Sequence, residues 1–176
     1  MQSGVTHRLN NMYQVNPQSK NPQSRIEAYL KLRQLAFKTS PTNFGITVSP
    51  DSNEPFGILM DLSLPQGNAT IVAFVSGDAS FYSSAGGGVI GGISHENVRK
   101  AAYKFIATSA KYIDKMMTTT SYPLPELGKV RFYVLTPNNI YTYEAAEPDL
   151  RKNTLSPLYA AGHHLLAELL ATAQKK

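Results

Sequence analysis

The chain has no cysteine, so it forms no disulfide, offers no thiolate nucleophile and gives no thiolate to a metal. A chain without cysteine survives in either redox environment, and the cytoplasm is the default expectation. Tryptophan is also absent, which leaves Tyr and Phe as the aromatic surface. Charged residues make up only 16%, below the roughly 25% of an average soluble domain, and Ser, Thr, Asn and Gln supply the polar surface instead. No window approaches the roughly 20 apolar residues of a membrane span, and Met1 to Tyr13 lacks the apolar core of a signal peptide. The expectation is a soluble chain with no membrane span.

What is present suits one folded domain. A length of 176 residues with 42% hydrophobic side chains can bury roughly 70% of the unfolded surface. Seventeen Lys plus Arg against twelve Asp plus Glu give a net charge of +5, which permits an acidic partner but is modest for a nucleic-acid binder. Residues 1 to 23 carry Asn, Gln, Ser and Pro with few spaced apolar side chains, which predicts a flexible tail before a single globular domain over 24–176.

Local patterns then place the elements. Ser24 followed by Glu27 reads as a capping box opening a first helix at about 25–39. Ile26, Tyr29, Leu30 and Phe37 share one side, and Leu32, Leu35 and Ala36 widen the apolar surface, which predicts burial on two sides. Phe56, Ile58, Met60, Leu62 and Leu64 alternate with Gly57, Asp61 and Ser63, so a strand with one buried face and an outward Asp61 is expected. Ala69 to Val75 is apolar on both faces and reads as a central strand, and Ser80 to Ser84 starts a third after the turn at Ser76-Gly77-Asp78. Ser94 is the expected N-cap of a long helix at about 95–117. Strands follow at Val130 to Thr136 and Ile140 to Ala145, and Ser156-Pro157 opens a last helix to about Thr172.

The order is helix, three strands, helix, two strands, helix. Tight turns between strands require antiparallel neighbours, so an α+β fold with a mainly antiparallel sheet of about five strands and three helices is expected. This order, over residues 24 to 173, resembles the roadblock and longin group of profilin-like sheets. The resemblance implies a dimerising regulatory module of a kind that often binds small GTPases.

The segment Ala85 to Ser94 places five glycines in seven positions between a strand and a helix start. Gly86, Gly88 and Gly91 match the GxGxxG spacing, but a dinucleotide fingerprint needs a parallel βαβ unit and an acidic residue at a strand end, and Asp114 falls within the predicted helix. A Walker loop needs Lys and Ser or Thr where Ile93 and Ser94 stand. What remains is a generic anion or nucleotide site of Gly86, Gly88, Gly91, Gly92, Ser94, His95 and Arg99, set against a purely structural role in close packing.

Other chemistry is thin. His163 and His164 point roughly 100° apart on a helix and cannot chelate one metal as an i, i+4 pair can. Ser83 or Ser84 with Asp78 and His95 is the only hydrolase arrangement to weigh, and there is no GxSxG elbow. Lys100, Lys104, Lys111 and Lys115 form a cationic helix face of the kind a phosphate backbone would use, although any surface helix has such a face. Tyr133, Tyr141 and Tyr143 alternate on paired strands as a possible aromatic interface cluster. No cofactor and no metal are expected. The leading expectation is a non-enzymatic interaction domain that pairs with another protein or itself.

Overall fold

The computed structural model describes residues 19–47, 49 and 51–173; the expected tail, with His7, lies outside them over 1–18, and its last residues, Pro22 and Gln23, belong to the first helix. Helix α1 spans Pro22–Lys38, and its start differs from the Ser24 capping box. Asn21 holds an extended backbone and accepts the Gln23 amide at 3.0 Å, with Pro22 in the first turn, where its missing N–H costs nothing. Ser24 therefore lies inside the helix.

The strands are β1 (Gly57–Leu64), β2 (Gly67–Phe74), β3 (Ala79–Ser83), β4 (Gly88–Val89), β5 (Met117–Thr118), β6 (Lys129–Leu135) and β7 (Ile140–Ala146). They form one antiparallel sheet in the order β4-β3-β2-β1-β6-β7-β5. Five are the strands expected, and β4 and β5 are two-residue additions at the edges. The remaining helices are α2 (Glu96–Ala110), α3 (Glu147–Leu150) and α4 (Ser156–Ala173). The fold is thus α+β with four helices and a seven-stranded antiparallel sheet among the described residues.

Strand pleating sorts the core into two layers. Ile58, Met60, Leu62, Ile71 and Phe132 face α2 and α4, meeting Val98, Phe105, Leu158, Leu165 and Leu169. Leu59, Val72, Tyr82, Tyr133 and Leu135 face the other way and are covered by Tyr29 and Ala36 of α1. β1 is therefore buried on both faces, not one, and Asp61 lies beneath α1 with 0% exposure instead of pointing outward. Alternation alone marks the less polar face; only the position of α1 decides whether the other face meets water. α1 in turn buries one side only, through Ala28, Tyr29, Arg33 and Ala36, and leaves Ile26 and Leu30 exposed.

α2 stops at Ala110, seven residues before the expected end. Its last bonds tighten to Lys111 N–H→Thr108 C=O and Tyr112 N–H→Ser109 C=O, and a short 3-10 turn over Ile113–Lys115 follows. The β-branched run Thr118-Thr119-Thr120 then favours extended backbone, and β5 pairs Met117 with Thr142. Met116 still anchors the apolar side, buried in the α2 layer. α3 is unanticipated: Pro148 and the acidic Glu147 and Asp149 suit a helix start, and Leu150 is fully buried. Among the described residues no helix is long and apolar enough to cross a membrane.

Candidate functional site

The glycine segment divides into two pieces. Gly86 and Gly87, both at positive φ, turn the chain from β3 into β4, where Tyr82 pairs with Gly88. Gly91, at φ 75°, then leads into a 3-10 turn over Gly92–Ser94, and His95 is the residue before α2 with no side-chain capping bond. The Asp78 carboxyl lies beside the backbone amides of Ala79 and Ile93, which oppose the push that burial gives its pKa above the usual carboxylate range, and its Oδ1 is buried without a hydrogen-bond partner. Arg99 donates to the Ile93 carbonyl at 2.7 Å.

Of the proposed anion ligands, Gly91, Gly92, Ser94, His95 and Arg99 gather at the start of α2, whereas Gly86 and Gly88 belong to the β3–β4 hairpin. One group such a site would use is engaged internally, the Arg99 guanidinium by the Ile93 carbonyl, and the Asp78 carboxyl lies beside the Ile93 amide. Packing explains the small side chains directly. A Cβ on Gly88 would stand 2.6 Å from the Phe81 carbonyl oxygen, and one on Gly92 would stand 2.6 Å from Val98 Cγ1.

The tyrosines do not form one cluster. The β6–β7 hairpin pairs Leu135 with Ile140, so an odd-numbered residue on β6 shares its face with an even-numbered one on β7. Tyr133 is opposite Thr142 under α1, with 0% exposure, and donates to the Pro123 carbonyl at 2.6 Å. Tyr141 and Tyr143 are half-buried on the opposite face, against the α2 and α4 layer. Tyr133 is therefore unavailable as an interface residue. The turn length carried this parity in the sequence, since Thr136 and Asn139 bracket a two-residue turn and fix the register.

No hydrogen bond joins Ser83 or Ser84 to Asp78 and His95. The Ser84 hydroxyl accepts the Asn68 amide of the neighbouring β2 at 2.8 Å, and the Ser83 hydroxyl accepts the Ala85 amide in the turn after β3 at 3.2 Å. Among the described residues no group of three or more His, Asp or Glu side chains is placed to hold a metal. His163 sits edge-on to Tyr159 at 4.4 Å between ring centres, and the Tyr159 hydroxyl donates to Glu147, which also takes Arg151. Burial holds the His163 imidazole below its ordinary value, Glu147 works against that shift and Arg151 reinforces it. A base with a depressed pKa gives stability that is present above its unfolded value and lost as pH falls. Lowering the pH from about 7 through about 6.5 is therefore expected to reduce thermal stability, and His163→Gln should flatten that segment of the profile. An NMR titration with a His163 midpoint at or above that of a free imidazole would overturn the assignment.

The structure also shows a constellation that sequence reading missed. Arg33 of α1 reaches Asp61 of β1 with Nε at 2.9 Å and a terminal nitrogen at 2.6 Å. Asp61 also accepts the Thr70 hydroxyl at 2.6 Å, and Thr70 meets the Tyr29 hydroxyl at 2.9 Å. Arg33 donates onward to the carbonyls of Tyr122 and Pro123, tying the 122–123 segment to α1 and the sheet. Spacing along the chain gives no sign of it, because Arg33 and Asp61 are 28 residues apart.

Concavities border this scaffold at both ends of α1, and another lies across the sheet between α2 and α4. A cleft of about 520 Å³ at the C-terminal end of α1 is lined by Phe37, Ser40, Thr119, Tyr122 and Asn139, with no charged side chain. A groove of about 400 Å³ beside the start of α1 is lined by Arg25, Ile26, Tyr29, Leu30, Asn68 and Leu124. In it, Arg25 Nε and Asn68 Oδ1 are buried without a hydrogen-bond partner. A third, between α2 and α4, carries lysines and a histidine. The class defined by the fold is an antiparallel-sheet α+β protein layered by helices on both faces. Comparison with protein-family models, curated proteins and solved structures finds no match.

Proposed function

We propose that the chain is a non-enzymatic interaction module that pairs with a second copy of itself through the outer flank of α1. The supporting observation is that Ile26 and Leu30, 41% and 44% exposed, line a groove of about 400 Å³ beside the start of α1. Water-exposed apolar side chains beside a groove suit a surface completed by another chain. A two-fold pairing brings the same flank from both copies together, so each Leu30 covers its counterpart. The profilin-like arrangement and its dimerising role belong to this proposal, supported by the element order around an antiparallel sheet. The rival is an anion- or nucleotide-binding role for residues 86–99, favoured by the uncapped His95 at the start of α2.

Light scattering over a concentration series tests the pairing. The expected mass is twice 19.3 kDa, falling toward one chain for Leu30→Asp. Leu30 is exposed, so that variant should fold within about 0.5 kcal/mol of the parent. A strict monomer at all concentrations overturns the homodimer, and a rise in melting temperature with added nucleotide, abolished by Arg99→Ala, would favour the rival.

A further inference from the structure

The groove between α2 and α4 has a charge pattern that neither the interaction surface nor the glycine segment explains. Its volume is about 520 Å³, within the range of small-molecule sites, and its lining includes Lys104, Thr108, Lys111, Tyr112, Pro157 and His164. None of its lining residues is acidic. Lys100 of α2 is paired with Glu96 at 2.6 Å and Lys115, in the 3-10 turn after α2, with Asp114 at 3.3 Å, so the outer lysines of the stripe carry their own counter-ions. Lys104 and Lys111 have none among the described residues. The uncompensated cations of this stripe are thus confined to the concave part of the helix pair.

We propose that this groove binds a small phosphomonoester with an apolar or aromatic body. Lys104 and Lys111 are two helical turns apart, about 10 Å along the axis, and their flexible stems let both ammonium groups converge on one phosphate between them. His164 adds a third nitrogen from α4. The Thr108 hydroxyl is spent as a donor on the Lys104 carbonyl at 2.7 Å, which leaves its lone pairs to accept from a ligand hydroxyl. Tyr112 and Pro157 supply the apolar wall. A nucleic-acid strand is disfavoured by the same pattern, because a phosphate track needs unpaired cations along its length and here they end where the groove ends.

Phenyl phosphate is the minimal probe, with inorganic phosphate and phenol as its two halves. Titration of the full chain, followed by amide NMR and calorimetry, is expected to show saturable binding of phenyl phosphate, tighter than either half. The shifts should concentrate at Lys104, Thr108, Lys111, Tyr112 and His164. Lys104→Glu and Lys111→Glu should each weaken binding by about tenfold or more, whereas Lys115→Glu should leave it unchanged. All three positions are exposed, and circular dichroism checks that the variants fold. Absence of saturable binding, or binding indifferent to Lys104→Glu and Lys111→Glu, overturns the proposal. So does binding of a single-stranded oligonucleotide with steep salt dependence where phenyl phosphate shows none.

Discussion

Arg33→Met is expected to cost about 3–5 kcal/mol in chemical denaturation, because it leaves the Asp61 carboxylate buried without its cation. Thr70 remains as a donor, but one hydroxyl does not replace a two-nitrogen contact from a guanidinium. The variant also loses the bonds to Tyr122 and Pro123 and the stacking of Arg33 over Phe37 at 4.9 Å, so the 122–123 segment should exchange its amides faster. Removing both charges with Arg33→Met/Asp61→Leu should recover most of the loss, since a well-packed apolar pair avoids desolvation altogether. A double variant as unstable as the sum of its parts would overturn this account.

The pH dependence has a definite sign. Burial pushes the Asp61 carboxyl above its ordinary range, with Arg33 and Thr70 opposing. An acid with a raised pKa gives stability that is complete below the unfolded value, about 3.9, and is lost as pH rises through the folded value. Without Arg33 that loss extends to higher pH. The stability gap between parent and Arg33→Met is therefore expected to be widest near neutrality and to narrow below about pH 4.

Gly92→Ala is expected to destabilise the fold by about 1–3 kcal/mol through overpacking. The added methyl meets Val98 Cγ1 at 2.6 Å, Leu169 Cδ2 at 2.9 Å and the Ala79 carbonyl oxygen at 3.3 Å, so α2, α4 and β3 close on it together. Gly87→Ala is the contrasting case. It meets nothing within 4 Å, and its cost comes only from holding a side chain at φ 83°, about 1 kcal/mol. Thermal denaturation separates the two. A Gly92→Ala chain as stable as the parent would remove the packing explanation and leave approach to a ligand as the reason for the glycine.

Much of the architecture was legible because period and punctuation act locally. The alternation from Phe56 to Leu64, the apolar run at Ala69 to Val75 and Ser156-Pro157 each fix an element within a few residues. Asp61 was misplaced because a single acid in an alternating strand looks outward unless something covers it, and α1 does so from across the chain. The glycine segment stands out in the sequence, but Asp78, whose buried carboxyl lies beside its Ile93 amide, reads there only as a turn residue. The α2–α4 groove was half visible: the lysine stripe could be read, whereas its division into paired and unpaired cations needed coordinates.

The central pairing of β1 with β6 bears on the order in which the chain folds. β1, β2 and β3 are joined by tight turns, and so are β6 and β7, so each group can assemble from neighbouring residues. Joining them places Asp61 opposite Arg131, which requires closure of the long stretch that contains β4, α2 and β5. Loop-closure entropy must be met before that contact contributes anything, which puts the seam between the two hairpin groups late on the folding path. Arg33 lies over the same seam and holds the 122–123 segment against it, so the buried ion pair acts after the sheet has closed. Its removal should accelerate unfolding far more than it slows folding.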